Sequence, residues 1–354
     1  MSEGVELPAL GAFAIAAILA LLLTPLVRRF ARRFDVLDHP GERRVNTAPV
    51  PRGGGIAVAA AFVITALALM AADAMFRIWP AADAPVATEV VALVGGAALA
   101  ALIGSLDDWF DLRARWQLAG QLLLAGVALS LGITVGQLAN PFGPGFIRLD
   151  GAFGAGFAVL WILGMINSIN FIDGLDGLSS GVALIAALTL GTISLTGNID
   201  QPAIALLCFA LAGALLGFLR WNLHPASIFV GTSGVMVIGY VLALLSILGS
   251  AKVAVALLVL GVPIIDTFWI IVRRVSEGRS PFSPDRGHIH HRLLDLGLSH
   301  GQTVLVIYSV CIALAVLSLV LSGTGQLYAF LGVFVIFGLG LYLLSRAAGG
   351  DGAA

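Results

Sequence analysis

Two adjacent aspartates stand directly after an apolar run. The segment GSLDDWFDLRARW places Asp107 and Asp108 at the end of the apolar residues 86–106. Neighbouring carboxylates repel each other, and close to lipid a cation or a basic partner must offset their charge. Mg²⁺ typically takes one or two protein carboxylates and completes its shell with water and substrate phosphate. The pair predicts a Mg²⁺ or general-base site, with an interfacial acid pair neutralised by Arg113 and Arg115 as the alternative.

A second polar segment, NSINFIDGLDGLSSG, interrupts another apolar run with amides and acids at every third position. These side chains are Asn167, Asn170, Asp173 and Asp176. Each three-residue step turns about 300° around an α-helix, so a regular helix cannot direct all four to one site. Gly174 and Gly177 permit a break, and non-helical backbone at membrane depth is tolerated where it lines a cavity. We expect this segment to form one wall of a site; a solvated interfacial turn is the alternative.

Basic residues and histidines gather in two further segments. The segment SPDRGHIHHRL supplies Arg286, His288, His290 and His291, and DHPGERRVNTAPVPRGGG supplies Arg43, Arg44 and Arg52 before three glycines. Guanidinium groups offer several planar donors to phosphate, imidazoles add a donor, and glycines let backbone N–H groups approach closely. Guanidinium groups beside the histidines would oppose a bound transition metal. An anion site is therefore favoured, with contact to anionic lipid headgroups as the alternative for the arginines.

Asp266 is a lone acid in the apolar segment GVPIIDTFWII. Ionisable residues inside membrane segments are rare and are usually paired or functional. The sequence alone gives a structural hydrogen-bonding role and a catalytic role equal weight.

The composition identifies the elements that must position these residues. Of the 354 residues, 59% are hydrophobic and 11% charged, with a mean hydropathy of +1.01, which excludes a soluble globular protein. The net charge of −1 gives no indication of a nucleic-acid partner. Runs long enough to span the hydrocarbon core as helices predict an all-α integral membrane protein with about eleven transmembrane helices. They lie at 8–27, 53–73, 86–106, 117–136, 155–172, 177–197, 202–220, 231–249, 252–272, 302–322 and 328–345.

The distribution of basic residues predicts the orientation of these spans. Arg77, Arg148 and Lys252 fall on one side of the membrane in this arrangement, and the other 16 of 19 Lys and Arg residues fall on the opposite side. The positive-inside rule makes the richer side cytoplasmic, with the N-terminus outside and the C-terminus inside. The glycine- and proline-rich segment ANPFGPGFIRLDG then lies outside as a short hairpin. Every polar cluster falls on the cytoplasmic face, and residues 1–354 are predicted to form one transmembrane domain.

Together, the DD pair, NxxNFIDGxDGL and SPDRGHIHHRL resemble the polyprenyl-phosphate N-acetylhexosamine-1-phosphate transferases, distant relatives of phospho-MurNAc-pentapeptide translocase. The resemblance extends over nearly the whole chain. It implies transfer of a sugar 1-phosphate from a UDP-sugar to undecaprenyl phosphate, which gives lipid-diphosphate-sugar and UMP. It also implies a Mg²⁺ cofactor, with Mn²⁺ as the alternative, and a multi-pass protein of the bacterial inner membrane whose active face is cytoplasmic. The expected partners are the UDP-sugar, undecaprenyl phosphate and the lipid bilayer; a homodimer is left open.

The resemblance also implies roles for individual residues. Catalytic residues are expected at Asp107, Asp108, Asp173 and Asp176. Substrate contacts are expected from Arg43, Arg44, Asn167, Asn170, Arg286, His288, His290 and His291. The metal is expected at Asp107, Asp108, Asp173 and position 232.

Three residues depart from the pattern of this family. Thr232 and Val235, in GTSGV, stand where the family usually has an aspartate that binds Mg²⁺ and a serine, and Asn46 stands where a histidine is common. A threonine hydroxyl binds Mg²⁺ far less well than a carboxylate. The alternative hypothesis is therefore a catalytically impaired member that binds a nucleotide sugar or a lipid phosphate.

Overall fold

The structure is a computed structural model. It describes residues 5–40, 48–78, 87–140, 142–143, 145–196, 201–249, 253–280, 287–321 and 323–350, with the backbone alone for Ala87 and residues 341–350. Helices dominate this part of the chain, which confirms the predicted all-α membrane class. They are α1 (Glu6–Arg33), α2 (Gly55–Phe76), α3 (Ala87–Val90), α4 (Gly96–Phe110), α5 (Ala114–Ser130), α6 (Ala152–Ile172), α7 (Leu178–Ser194), α8 (Pro202–Asn222), α9 (Gly231–Leu248), α10 (Val253–Val259), α11 (Gly261–Ser276), α12 (Ile289–Asp295), α13 (His300–Val320) and α14 (Thr324–Gly350). A π-helical turn, Val91–Gly95, joins α3 to α4.

Seven helices of the described residues are long and apolar enough to cross a membrane, or up to eight if a bent pair counts as one span. The seven are Glu6–Arg33, Gly55–Phe76, Thr88–Phe110, Ala152–Ile172, Pro202–Asn222, Gly231–Leu248 and His300–Val320. The bent pair, α10 and α11, turns by 79° inside the predicted span 252–272. Two shorter apolar helices, Leu178–Ser194 and Thr324–Gly340, fall in other predicted spans. The count of eleven and the orientation stay predictions.

One predicted span is shorter than its apolar run. The span predicted at 117–136 ends as a helix at Ser130, because the chain turns at Gly132, whose φ of +88° suits glycine. The chain then enters β3 (Gln137–Ala139), which pairs antiparallel with β4 (Phe146–Arg148). This pair confirms the predicted hairpin.

Small residues bring the central helices close together. Helix α8 packs along α1, where Gly213 and Gly217 lie against the backbone carbonyls of Phe13 and Ala17; an added Cβ would come within 2.0 and 2.1 Å of those oxygens. The same occurs where α4 meets α9, because a Cβ on Gly104 would lie 2.4 Å from Cα of Ser233. Glycine at such positions permits the backbone contact that drives helix association in lipid.

The first loop is tied to the connection between α8 and α9. Strands β1 (Leu37–Asp38) and β2 (Val50–Pro51) pair antiparallel. The backbone N–H of Phe229 donates to the carbonyl of Pro51 at 2.8 Å, and that of Gly54 donates back to Phe229 at 2.9 Å. These bonds bring the start of α2 against the start of α9, beside the end of α4.

Candidate active site

A cavity of about 770 Å³ lies where these helix ends and loops meet. Residues from widely separated parts of the chain line it. Among the predicted site residues, those that line it are Asp108, Asn170, Asp173, Asp176, Thr232 and His291. The structure therefore brings the DD segment, the asparagine and aspartate segment and the histidine segment to one place, as the resemblance implies.

Asp108 reaches the cavity through close glycine packing. A Cβ on Gly231 would lie 2.6 Å from Oδ2 of Asp108, and one on Gly55 would lie 2.0 Å from Cα of Gly234. Gly231 also has a φ of +71°. Side chains at these positions would push α2 and α9 away from the carboxylate.

Asp108 caps the N-terminus of α9. Its Oδ1 accepts from the backbone N–H of Thr232 at 2.7 Å and its Oδ2 from that of Ser233 at 3.0 Å. These N–H groups lack partners within the helix and carry the positive end of its dipole, so they stabilise the carboxylate. Two of the first N–H groups of α9, those of Thr232 and Ser233, are thereby already engaged by Asp108.

Asp107 points to other partners. Its Oδ1 accepts from the backbone N–H of Leu112 at 3.1 Å and from Nε2 of Gln117 at 2.9 Å. Its Oδ2 accepts from the hydroxyl of Thr232 at 2.5 Å. Asp107 does not line the cavity enclosed by the described residues. Its contacts join the start of α5 to the start of α9.

The second predicted wall breaks where the glycines suggested. Helix α6 ends at Ile172, α7 begins at Leu178, and Gly177 between them has a φ of +78°. Asn170 therefore lines the cavity from the last turn of α6, whereas Asp173 and Asp176 line it from the turn that follows.

Asp173 lies among protein atoms and other acids. Burial is the main cause that raises the pKa of its carboxyl to about 7, and the Asp108 and Asp176 carboxylates raise it as well. The Ser179 hydroxyl, which donates to Asp173 at 2.5 Å, and the charge of Arg52 act in the opposite direction. A carboxyl held this way gains from a bound cation.

Asn167 lies outside this wall. Its Nδ2 donates to Oε1 of Gln121 at 2.7 Å and to the carbonyl of Leu163 at 2.8 Å. Gln121 belongs to α5, so the amide pair joins α5 to α6. Asn167 does not line the cavity in the described part of the chain.

Two histidines that the sequence analysis did not select meet Asp176. Nδ1 of His224 lies 2.7 Å from Oδ2 of Asp176, and the ring of His300 stacks on that of His224 with centroids 4.1 Å apart. The backbone N–H of Ala226 also donates to Asp176 at 3.0 Å. The nearest sequence signal was the polar segment WNLHPASIFVGTSG, which contains His224; His300 carried none.

The predicted histidine segment divides into distinct environments. His288 is buried, and its Nδ1 lies 2.8 Å from Oδ2 of Asp266, whose Oδ1 accepts from the backbone N–H of Ile289 at 2.9 Å. Asp266 thus holds the start of α12 and orients His288. The structure supplies the hydrogen-bonding role that the sequence left undecided for Asp266.

His290 is buried against the turn after α6, and only His291 of this segment lines the cavity in the described residues. A Cβ on Gly174 would lie 2.1 Å from Nε2 of His290. Burial, together with the neighbouring histidines, holds the pKa of His290 well below its usual range. This imidazole is therefore neutral at physiological pH.

Arg52 lines the cavity from the first loop, and its Nε donates to Oδ1 of Asp38 at 2.6 Å. Arg52 was one of the basic residues of the first loop in the sequence but was not among the predicted site residues. The predicted substrate-binding residues Arg43, Arg44 and Arg286, and Asn46, lie outside the described residues.

The donor set of the cavity fits a hard divalent cation. Asp108, Asp173 and Asp176 line the same space with Thr232, and carboxylate, hydroxyl and water oxygens are the ligands that Mg²⁺ takes. Burial, and to a lesser degree the Asp108 and Asp176 carboxylates, raises the pKa of Asp173, so a bound cation would favour its charged form. Val235, the other departure in GTSGV, is buried in α9 and does not line the cavity of the described residues.

Comparisons with known proteins show which family the chain resembles. Residues 90–250 match the profile of the family described as Glycosyl transferase family 4. The chain is 34% identical to the Bacillus subtilis protein named "Probable undecaprenyl-phosphate N-acetylglucosaminyl 1-phosphate transferase", over 94% of this chain and 89% of that protein. It is 34% identical to the "Decaprenyl-phosphate N-acetylglucosaminephosphotransferase" of Mycolicibacterium smegmatis, over 96% and 89%. It is 30% identical to the "Undecaprenyl-phosphate alpha-N-acetylglucosaminyl 1-phosphate transferase" of Thermotoga maritima, over 90% and 92%.

Proposed function

The chain belongs to glycosyl transferase family 4, and from this we propose that it transfers N-acetylhexosamine 1-phosphate from a UDP-sugar to undecaprenyl phosphate. The observation that carries the proposal is the cavity in which three aspartates and His291 converge at helix ends. Relatives similar over nearly their whole length are named for transfer to a polyprenyl phosphate. A polytopic membrane protein can meet such a lipid in its own bilayer.

The reaction exchanges one phosphoanhydride bond for another. An oxygen of the lipid phosphate forms a bond to the sugar-linked phosphorus of the UDP-sugar. The bond from that phosphorus to the bridging oxygen breaks, and the oxygen leaves with UMP. No oxidant and no water are consumed. Because charge is spread over the phosphoryl oxygens during the transfer, positioning and electrostatic stabilisation supply most of the catalysis.

Three carboxylates are assigned to the cofactor and the reaction centre. Asp108, Asp173 and Asp176, assisted by the hydroxyl of Thr232, would hold Mg²⁺, with Mn²⁺ as the alternative. When bound, such an ion neutralises charge on the phosphate oxygens. We also propose Asp108 as the carboxylate that accepts a proton from the lipid phosphate, because it lines the cavity. Asp107 acts as a positioning residue, because its carboxylate holds the hydroxyl of Thr232.

Groups on the same cavity surface would contact the substrates. Arg52 and His291 can donate to phosphate oxygens, and Asn170 offers an amide from the end of α6. We assign phosphate binding to these side chains, since Asp108 already engages the N–H groups of Thr232 and Ser233 at the start of α9. Arg43, Arg44 and Arg286 remain proposed substrate contacts on the basis of the family resemblance.

The alternative, a member that binds without catalysis, rests on Thr232. The described structure keeps Asp108, Asp173 and Asp176 on the cavity, and the curated relatives quoted above are named as transferases. Catalysis is therefore the better supported proposal. A binding protein would retain UDP-sugar affinity in calorimetry and form no product.

The test uses purified full-length protein with a UDP-N-acetylhexosamine, undecaprenyl phosphate and MgCl₂. We expect equal amounts of UMP and lipid-linked sugar, both dependent on the divalent ion. Parallel reactions with several UDP-sugars would identify the hexosamine, and MnCl₂ would test the alternative ion. Absence of both products with each sugar and each metal would refute the transferase proposal.

We place the cavity on the cytoplasmic side of a bacterial inner membrane, following the distribution of basic residues. Both cysteines of the described chain, Cys208 and Cys311, are buried, so introduced cysteines can report orientation. Ser276→Cys, at the end of α11, should be protected from an impermeant maleimide in intact cells. Phe142→Cys, in the exposed segment between β3 and β4, should be labelled. The opposite result would reverse the topology.

A further inference from the structure

Five of the six histidines in the chain surround the turn between α6 and α7. Three belong to the segment 288–291 already described. The other two, His224 and His300, come from the connection before α9 and from the first residue of α13. Both meet Asp176, so three segments far apart in sequence place one carboxylate and two imidazoles together.

The three side chains are close enough to share one metal ion. A side-chain oxygen of Asp176 and one ring nitrogen from each of His224 and His300 lie within 4.8 Å of one another. The rings of the two histidines are nearly parallel, with an interplanar angle of 22°. Tyr308 fixes the turn by donating to the carbonyl of Gly177 at 2.5 Å.

The hydrogen bonds of the cluster leave ligand capacity unused. Nδ1 of His300 is buried without a hydrogen-bond partner among the described residues, and its Nε2 has only a long 3.4 Å contact with the carbonyl of Asp176. Asp176 and His224 both face the cavity, and the side chain of His224 is 52% exposed. An ion could therefore reach the cluster from the cavity.

We propose that Asp176, His224 and His300 form a second metal site that takes Zn²⁺ or a similar transition-metal ion. Two imidazoles and one carboxylate are a ligand set that Zn²⁺ accepts, and nitrogen donors favour it over Mg²⁺. Three protein ligands leave an open position, and the placement of Asp176 and His224 directs it to the cavity. An anion such as phosphate can occupy that position.

This site differs from the proposed Mg²⁺ site in its ligands and its consequence. Asp108 and Asp173 offer oxygen alone, whereas His224 and His300 add nitrogen donors; the two proposed sites share Asp176. An ion at the second site would draw Asp176 away from the first and add positive charge at the cavity. Zn²⁺ binding there does not require the transferase activity, so it can be tested whether or not that activity exists.

The experiment titrates metal-free, full-length protein in detergent with Zn²⁺ against a chromophoric chelator, with MgCl₂ in millimolar excess. We expect the wild type to bind one equivalent. His224→Gln and His300→Gln should each weaken binding at least about tenfold, because each removes one of three ligands. His39→Gln alters the remaining histidine, which lies outside the cluster after β1, and should bind like the wild type.

Co²⁺ provides a second measurement on the unaltered protein. A site with nitrogen and oxygen ligands and low coordination gives visible d–d absorption. That absorption should be present in the wild type and absent in His300→Gln protein that elutes as the same monodisperse species. Wild-type Zn²⁺ binding equal to that of the double variant His224→Gln/His300→Gln would overturn the proposal. Loss of binding in His291→Gln alone would also overturn it, because the ion would then lie in the segment 288–291.

Discussion

Asp108 and Asp266 are two buried aspartates that each cap the N-terminus of a different helix. Each carboxylate accepts hydrogen bonds from backbone N–H groups at the start of a helix. Asp108 accepts from Thr232 and Ser233 of α9, and Asp266 accepts from Ile289 of α12. These N–H groups have no hydrogen-bond acceptor within their own helix, so each carboxylate supplies the acceptor that they lack.

The two residues differ in whether the carboxylate also faces the cavity. Asp108 lines the cavity, so its carboxylate remains available to a cation or a substrate. Asp266 does not line it in the described residues; its second oxygen meets Nδ1 of His288 at 2.8 Å. A buried acid in a membrane helix can thus belong to the cavity wall or support it, and the difference lies in tertiary placement.

The largest effect is expected from Asp108→Asn. The amide keeps one of the two acceptors that the α9 N–H groups use, and it loses the charge that would hold a cation and accept a proton. Turnover should therefore fall about 10²- to 10⁴-fold. The measurement is the initial rate of UMP release. Asp111→Asn, an exposed aspartate just beyond the same helix end, is the matched control and should leave the rate nearly unchanged. Equal rates in the Asp108 variant and the wild type would contradict the proposed role of Asp108 in catalysis.

Asp266→Asn should have a smaller effect, about 10- to 100-fold, because it displaces His288 without removing a group from the cavity. The rate should be compared with that of His288→Gln and with the double variant. If Asp266 acts through His288, the double variant should be no worse than the poorer single variant. Fully additive losses would contradict this supporting role.

Thr232→Asp tests whether the capped end of α9 limits metal binding. The added carboxylate would replace the hydroxyl that now donates to Asp107, and a cation would be needed to offset the new pair. We expect the Mg²⁺ concentration for half-maximal rate to fall about tenfold, because ligand charge strengthens binding of hard cations. Thr232→Val, which removes the hydroxyl without adding charge, is the control. An unchanged Mg²⁺ requirement would exclude position 232 from the metal site.

The smallest effect on catalysis is expected from Asn167→Ala. Asn167 and Asn170 lie about one helical turn apart and can be compared in the same way as Asp108 and Asp266. Asn167 pairs with Gln121 between α5 and α6, so its loss should cost about 1–2 kcal/mol of stability and leave the KM for UDP-sugar unchanged. Asn170→Ala should raise that KM with little change in thermal stability, because Asn170 lines the cavity. The reverse pattern would exchange the two assignments.

Much of the site could be predicted from local signals. The break after α6 followed from Gly174 and Gly177, and the hairpin near residue 140 followed from its glycines and prolines. The convergence of the DD, NxxNFIDGxDGL and histidine segments came from the family resemblance, which the relatives confirm at the level of the family. The roles of the individual residues stay predictions.

Other features could not be predicted because they depend on partners distant in sequence. The spacing of three residues made Asn167 and Asn170 equally good candidates for the site. In the structure, Gln121 on α5 forms a hydrogen bond with Asn167, whereas Asn170 lines the cavity. Asp107 and Asp108 were a single motif, but one helix step turns adjacent side chains by about 100°, so only Asp108 faces the cavity. His300 had no sequence signal, since the residues that it contacts, Asp176 and His224, lie 124 and 76 residues before it in the chain.

The sequence by itself determined the membrane class, the positions of most helices and the kinds of polar groups available, because hydropathy and glycine content act over short distances. Only the tertiary structure decided which acids face the cavity, which cap a helix and which meet a histidine. Those outcomes depend on helix crossings such as Gly104 against Ser233 and Gly55 against Gly234, where the absence of side chains sets how closely the backbones approach.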